Sequence, residues 1–145
     1  MNLILAKCIE FKEKRKICIA YENGKKYQLN NVSDITIRKV NVDKCLVQNI
    51  GEKRCDFLMD TDDLKRVFFI ELKGRDLNKA VIQIYSTIIY LKPEFMNYRI
   101  DARIVGSKDV PGFKNTPDYK KLAKEVLPTK GTIERGTNNI YTENI

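Results

Sequence analysis

The chain is predicted to adopt an α/β fold: a mixed central sheet flanked by helices, with an additional N-terminal β-hairpin. Three observations predict it. The first third is rich in β-branched residues and holds an Asn23-Gly24 pair between two alternating segments, the strongest short-range hairpin signal. The middle reads as strand, acidic turn, strand: "RCDFLMD", "TDDLKR", "VFFIELKG". After Gly74 the period changes to helical and then returns to extended. A β-hairpin followed by a crossover helix and another strand is an α/β core. At 145 residues the chain is expected to form one domain, 1–145, with an ordinary core.

Taken in order, residues 1–13 fit either a short helix or a strand. "KICIAYENGKKYQLN" is the first hairpin, and "SDITIRKVNV" and "KCLVQNI" read as extended. "RDLNKAVIQIYSTIIYLK" begins at Asp76 as N-cap and runs to Lys92 before Pro93. Its Ala80, Ile84, Ile88 and Leu91 recur at helical spacing. "YRIDARIVGS" alternates and is a strand. "NTPDYKKLAKEVLP" has Thr116 as N-cap and Pro117 at the first helical position, and closes before Pro128. The tail either forms a last hairpin around "GTNN" or is partly loose.

Composition excludes several chemistries. The chain has no histidine, which removes Ser-His-Asp and Cys-His nucleophiles and histidine general bases. The four cysteines, Cys8, Cys18, Cys45 and Cys55, include no C-x-x-C pair. They read as small buried hydrophobes rather than as a zinc site or as disulfides. No apolar run approaches the length of a membrane span. The start, "MNLILAKCIEFKEKRK", places its apolar residues before its basic ones, the wrong order for a signal peptide. The expectation is a cytoplasmic protein with no membrane partner. Net charge is +8, which suits a polyanionic partner, nucleic acid first.

The chemistry that remains centres on "VFFIELKG", where Glu71 and Lys73 interrupt an otherwise core-like strand. Residues two apart share a face, so Phe69, Glu71 and Lys73 point one way and Phe68, Ile70 and Leu72 the other. On the preceding strand Arg54, Asp56 and Leu58 share one face, and Cys55, Phe57 and Met59 the other. A hairpin symmetric about the turn between Asp63 and Leu64 sets Asp56 across from Glu71, Leu58 across from Phe69 and Arg54 across from Lys73. Two carboxylates so placed repel each other unless a divalent cation lies between them. Hard cations such as Mg²⁺ take oxygen ligands, often one or two carboxylates completed by water and substrate phosphate. Lys73 on the same face would stabilise developing negative charge or help position a nucleophile. The bland alternative is an edge strand bearing a surface Glu-Lys pair.

This constellation resembles the PD-(D/E)xK nuclease superfamily, which includes restriction endonucleases and Holliday junction resolvases. Asp56 stands at the aspartate of the "PD" half, preceded by Cys55 rather than proline. Glu71-Leu72-Lys73 matches the (D/E)xK half, fifteen residues on. The resemblance covers about residues 45–106. It implies a restriction-endonuclease-like fold and metal-dependent hydrolysis of phosphodiester bonds in DNA. Asp56, Glu71 and the Leu72 carbonyl would hold Mg²⁺ or Mn²⁺, Lys73 would assist the attacking water, and Gln83 on the following helix would orient it or the phosphate. Arg54, Arg75 and Lys79 are candidates to bind nucleic acid. Members usually carry a further acidic residue; Glu10, Glu13, Asp43 and Glu52 are the candidates. Cutting both strands needs two copies, so a homodimer is expected. The other readings are a non-catalytic nucleic-acid-binding or protein-interaction module on the same scaffold, and a toxin or phage-defence component acting on RNA.

Overall fold

The fold is taken from a computed structural model, which describes residues 6–46, 54–72 and 76–145. Among the described residues nine strands form two sheets. The larger is built from β1 (Ile9–Glu13), β4 (Ile37–Asn41), β5 (Phe57–Thr61), β6 (Arg66–Leu72), β7 (Arg99–Val105) and β8 (Ile133–Gly136), in the spatial order β1-β4-β5-β6-β7-β8. Its pairs from β1 to β6 are antiparallel; β6-β7 and β7-β8 are parallel. The smaller holds β2 (Ile17–Glu22), β3 (Lys25–Asn30) and β9 (Ile140–Asn144), in the order β2-β3-β9. The described residues also include the helices α1 (Leu77–Leu91) and α2 (Pro117–Val126). The predicted mixed sheet with flanking helices and an N-terminal hairpin is present.

Local chemistry explains most of these boundaries. Asn23 and Gly24 both have positive φ, 52° and 75°. That is the left-handed pair a two-residue type I′ turn demands, and it joins β2 to β3. Asp76 caps α1 by accepting from the Lys79 N–H at 2.9 Å. Thr116 caps α2 by accepting from the Tyr119 N–H at 3.2 Å, with Pro117 next in line. Gly131 lies flat against β7: a Cβ there would sit 1.6 Å from the Ile100 carbonyl oxygen. Only glycine admits that approach.

The larger sheet is covered on both faces. On one face α1 and α2 pack Ala80, Ile84, Ile88, Leu122 and Val126 against Leu58, Val67, Phe69, Ala102 and Ile104. On the other, Cys18, Ala20, Tyr27 and Leu29 of the small sheet pack against Phe57, Met59, Phe68, Ile70 and Leu72. β5 and β6 are therefore wrapped by apolar layers on both sides, and every residue of β5 is buried. The edge-strand reading of "VFFIELKG" does not hold, since β6 is flanked by β5 and β7 and Glu71 is 0% exposed.

Four expectations are corrected. "KCLVQNI" does not continue as a strand: Val42–Leu46 forms one π-helical turn, and 47–50 lie outside the described residues. The cause is local capture, because the Asn41 side chain accepts from the Lys44 N–H and the Asp56 carbonyl accepts from the N–H groups of Val42 and Asp43. The tail is neither loose nor a hairpin. β8 joins β7 in the large sheet and β9 joins β3 in the small one, both in parallel, with Gly106 bonding to Gly136 and Asn139 at the crossing point. Cys8 and Cys45 are not reduced buried hydrophobes but a disulfide, tying the start of β1 to the π-helical turn. Cys18 and Cys55 are buried and free, as expected. Finally, Cys55 packs in the helix-side core while Phe57 and Met59 face the small sheet. It precedes the first residue of β5, so strand alternation does not reach it.

Among the described residues no helix is long and apolar enough to cross a membrane.

One buried ion network ties the layers together. Asp101 of β7, 0% exposed, accepts from Arg66 Nε at 2.9 Å and from the Thr132 N–H at 2.9 Å, and pairs with Arg99 and Arg103. Arg103 in turn grips Glu143 of β9 with two bonds of 2.6 and 3.1 Å, and Tyr27 of β3 donates to the same carboxylate. Burial alone would raise the Asp101 pKa, but Arg66 and Arg103 outweigh it and hold the carboxyl below its ordinary value. Asp101→Asn is expected to cost about 3 kcal/mol, the scale for breaking a buried pair, read by urea denaturation at neutral pH. Because the folded-state pKa is depressed, this stabilisation is present above the unfolded value and lost as pH falls through the folded one. The mutant should therefore converge on the wild type in acid.

Candidate active site

The β5-β6 register is the one expected from a turn centred between Asp63 and Leu64. Leu58 lies opposite Phe69 and Phe57 opposite Ile70, so Asp56 and Glu71 are the next pair beyond the end of β5. Each carboxylate binds the other strand's main chain. The Asp56 N–H donates to Glu71 Oε1 at 3.2 Å, and the Leu72 N–H donates to Asp56 Oδ2 at 2.8 Å. Two acidic side chains are thus held at the end of the central strands, where β6 emerges from the sheet. Ligand sites in open α/β sheets lie at such strand ends.

The support behind this pair comes from α1. Thr87 Oγ1 accepts from the Cys55 N–H at 2.8 Å and donates to the Gln83 carbonyl at 2.7 Å. Gln83, 8% exposed, donates through Nε2 to the Arg54 carbonyl at 3.1 Å. Two successive residues before Asp56 are therefore pinned to two successive turns of one helix. Gln83 touches the backbone that carries the aspartate. Thr87 was not singled out in the sequence, although its i+4 spacing from Gln83 was the available signal. The Arg54 guanidinium lies 4.8 Å from the centroid of the Tyr90 ring. Lys79 is exposed in the first turn of α1, four residues before buried Gln83. Lys73 and Arg75 lie outside the described residues.

Glu22 is an acidic neighbour of Asp56 that the sequence reading did not name. It ends β2 and forms an ion pair of 2.8 Å with Lys44, and its carboxylate also acts on Asp56. Of the residues named for that role, Glu10 pairs with Lys39 and Glu13 with Arg15. Asp43 is exposed in the π-helical turn, and Glu52 lies outside the described residues. Nothing local marks Glu22: it reads as the last residue before a hairpin turn. Only the stacking of the small sheet brings that turn to the end of β5.

Burial pushes the Asp56 carboxyl up to about 6, and the neighbouring Glu22 carboxylate adds to the rise. Its contacts with Glu71 and the Leu72 N–H pull the other way without cancelling it. Asp56 thus sits where its surroundings disfavour the charge it carries at neutral pH. Burial pushes the Cys55 thiol up as well, so it is no nucleophile at neutral pH. Among the described residues no group of three or more His, Cys, Asp or Glu side chains is arranged to hold a metal ion. The donor set nevertheless fits a hard cation: two opposed carboxylates supply oxygen alone, with main-chain carbonyl, water and substrate phosphate as the usual remaining ligands.

No family model, curated protein or solved structure matches the chain.

The raised pKa has a definite sign. A carboxyl whose folded pKa lies above its unfolded value stabilises the fold in its neutral form, so stability should fall as pH rises from about 4 to about 6. In EDTA, Asp56→Asn is expected to be more stable than the wild type at pH 8 by about 2 kcal/mol, with no such gain at pH 4. Chemical denaturation at the two pH values checks this; a mutant less stable at both would contradict it.

Proposed function

We propose that the chain is a metal-dependent phosphodiesterase acting on nucleic acid, an endodeoxyribonuclease of the PD-(D/E)xK kind with a restriction-endonuclease-like fold. The observation that carries the reading is the opposed Asp56-Glu71 pair, each carboxylate anchored to the other's strand. The order β5-β6-α1-β7 supports it, as does the parallel β6-β7 crossover through α1. In this reading Asp56, Glu71 and the Leu72 carbonyl would hold Mg²⁺ or Mn²⁺. When bound, such an ion supplies Lewis-acid polarisation of the phosphate and lowers the pKa of an attacking water.

The chain's own residues would do the rest. The Leu72 N–H and the Asp56 N–H keep the two carboxylates from turning away. Gln83 and Thr87 fix the backbone before Asp56, so the pair stays in register as substrate enters. Lys73 follows Glu71 by two residues and would stabilise developing charge on the phosphate. Arg54, Arg75 and Lys79 would contact flanking phosphates, and the net charge of +8 would draw the polyanion in. Glu22 stands beside Asp56 as the further acidic group of the site.

The test is cleavage of plasmid, branched DNA and RNA in Mg²⁺, Mn²⁺ and EDTA. Cleavage should occur with either ion and stop in EDTA. Glu71→Gln and Lys73→Ala should each lower the rate by at least about a hundredfold, the scale for removing one charge-stabilising group, while far-UV circular dichroism stays unchanged. A salt-sensitive gel shift that leaves the nucleic acid uncut under all three conditions would replace the enzyme by a binding module.

A further inference from the structure

Among the described residues the small sheet has an unguarded edge. β2 is its first strand and pairs only with β3 among the described residues. Natural sheets protect such edges with lysine, proline, bulges or covering segments. Over Ile17–Tyr21 β2 carries no charge and no proline, and its register against β3 runs from Ile17↔Asn30 to Glu22↔Lys25 with no bulge. Cys18 and Ala20 face the core, whereas Ile17, Ile19 and Tyr21 are 51%, 39% and 63% exposed. Three large apolar side chains in a row thus stand on the solvent face of an edge strand.

The backbone parity makes the edge available. The Asn31 N–H donates to the Lys16 carbonyl at 2.8 Å, so Lys16, Cys18, Ala20 and Glu22 direct their main-chain groups toward β3. The N–H and C=O groups of Ile17, Ile19 and Tyr21 therefore point away from the sheet. A strand docking here would bond to those three residues.

We infer that the occupant is a second copy of the same strand, and that two chains associate through antiparallel β2-β2 pairing centred on Ile19. Among registers that use the outward main-chain groups, this one is self-complementary. Ile19 opposes Ile19 of the partner subunit, and Ile17 opposes Tyr21 of the partner subunit, twice. Lys16 falls opposite Glu22 of the partner subunit, also twice. Moving the centre one residue toward the C-terminal end opposes Ile17 to Asn23 and sets Lys16 and Glu22 opposite uncharged residues; moving it toward the N-terminal end opposes Arg15 to Tyr21 and shifts the Glu22 pairing to Lys14, three residues before β2 begins. Opposite charges and apolar pairs directly across a ladder are each favourable, and a two-fold axis requires this kind of matching. The result is one continuous sheet in the order β9-β3-β2-β2-β3-β9. It also sets a partner lysine beside Glu22, the residue that touches Lys44 and acts on Asp56. The assembly does not depend on the phosphodiesterase reading, and its measurement is independent of cleavage.

One strand edge is smaller than the roughly 1,600 Å² of a standard interface, so association should vary with concentration. Sedimentation velocity on the full chain should show the 16.9 kDa monomer giving way to a species of twice that mass as concentration rises. Ile19→Lys sets like charges on the two-fold axis and should weaken the dimer by about tenfold or more. Its exposed position leaves folding intact, checked by thermal melting. Ile19→Cys should form an intermolecular disulfide under mild oxidation, while Val32→Cys, 71% exposed but off the strand, should not. The background is low, since Cys18 and Cys55 are buried and Cys8 is bonded to Cys45. A wild type that stays monomeric throughout, or an Ile19→Lys dimer as strong as the parent, overturns the inference. A monomer that still cuts DNA would overturn it and leave the catalytic reading standing.

Discussion

The exchange of bonds between Asp56 and Glu71 organises the open end of the central hairpin. An ordinary antiparallel ladder would end there with main-chain groups paired to main-chain groups. Here two carboxylates take that place, the Asp56 N–H bonding to one and the Leu72 N–H to the other. Charge-assisted bonds of this kind are stronger than neutral ones, but they hold two carboxyl groups side by side where water is scarce. Desolvation wins at Asp56, whose pKa rises despite both contacts. The end of β5 is thus fixed in position and at the same time electrostatically uneasy, a combination more common at functional sites than at structural ones.

What fixes it is the layer on each side. From the helix side, Gln83 and Thr87 pin the main chain of Arg54 and Cys55, so α1 reads out the position of the aspartate directly. From the other side, the small sheet carries Glu22 to the same spot. That sheet is held over the large one by Tyr27, Leu29 and their neighbours, and by the Asp101-Arg103-Glu143 chain of ion pairs. Loosening the network around Arg103 would free β9 and β3, and with them the placement of Glu22. Stability far from the site and geometry within it are coupled through one buried arginine.

How much of this could be read in advance depends on the range of the forces involved. The β5-β6 register was legible because a short polar turn and period-2 alternation act over neighbouring residues, and together they leave one pairing. The helix caps at Asp76 and Thr116 and the Asn23-Gly24 turn are local chemistry as well. Glu22 was not legible, because its role arises from stacking one sheet on another, and hydrophobic packing has no directional code in the sequence. The tail failed for the same reason: "GTNN" looks like a hairpin turn, yet its two flanks find better partners in different sheets. Asn41 and Asp56 together hold Val42–Leu46 in a π-helical turn instead of an extended strand. The cysteine pair was misread from an expected compartment, whereas contact between Cys8 and Cys45 is set by β1 pairing with β4.

The charge distribution poses a last constraint on any nucleic-acid reading. The chain as a whole carries +8, a charge that would draw a polyanion at long range in the proposed reading. At short range, Asp56, Glu71 and Glu22 present carboxylates where the phosphate would have to come. In the proposed reading, a cation held by the pair would remove that local repulsion, and bound phosphate would supply the cation with further oxygen ligands. Each ligand would therefore raise affinity for the other, and thermodynamic linkage would make the two effects equal. The same coupling requires that cation binding, by favouring the ionised carboxylate, lower the pKa of Asp56. In the proposed reading, proton, metal and polyanion would compete and cooperate at one carboxylate, and their binding equilibria could not be varied one at a time.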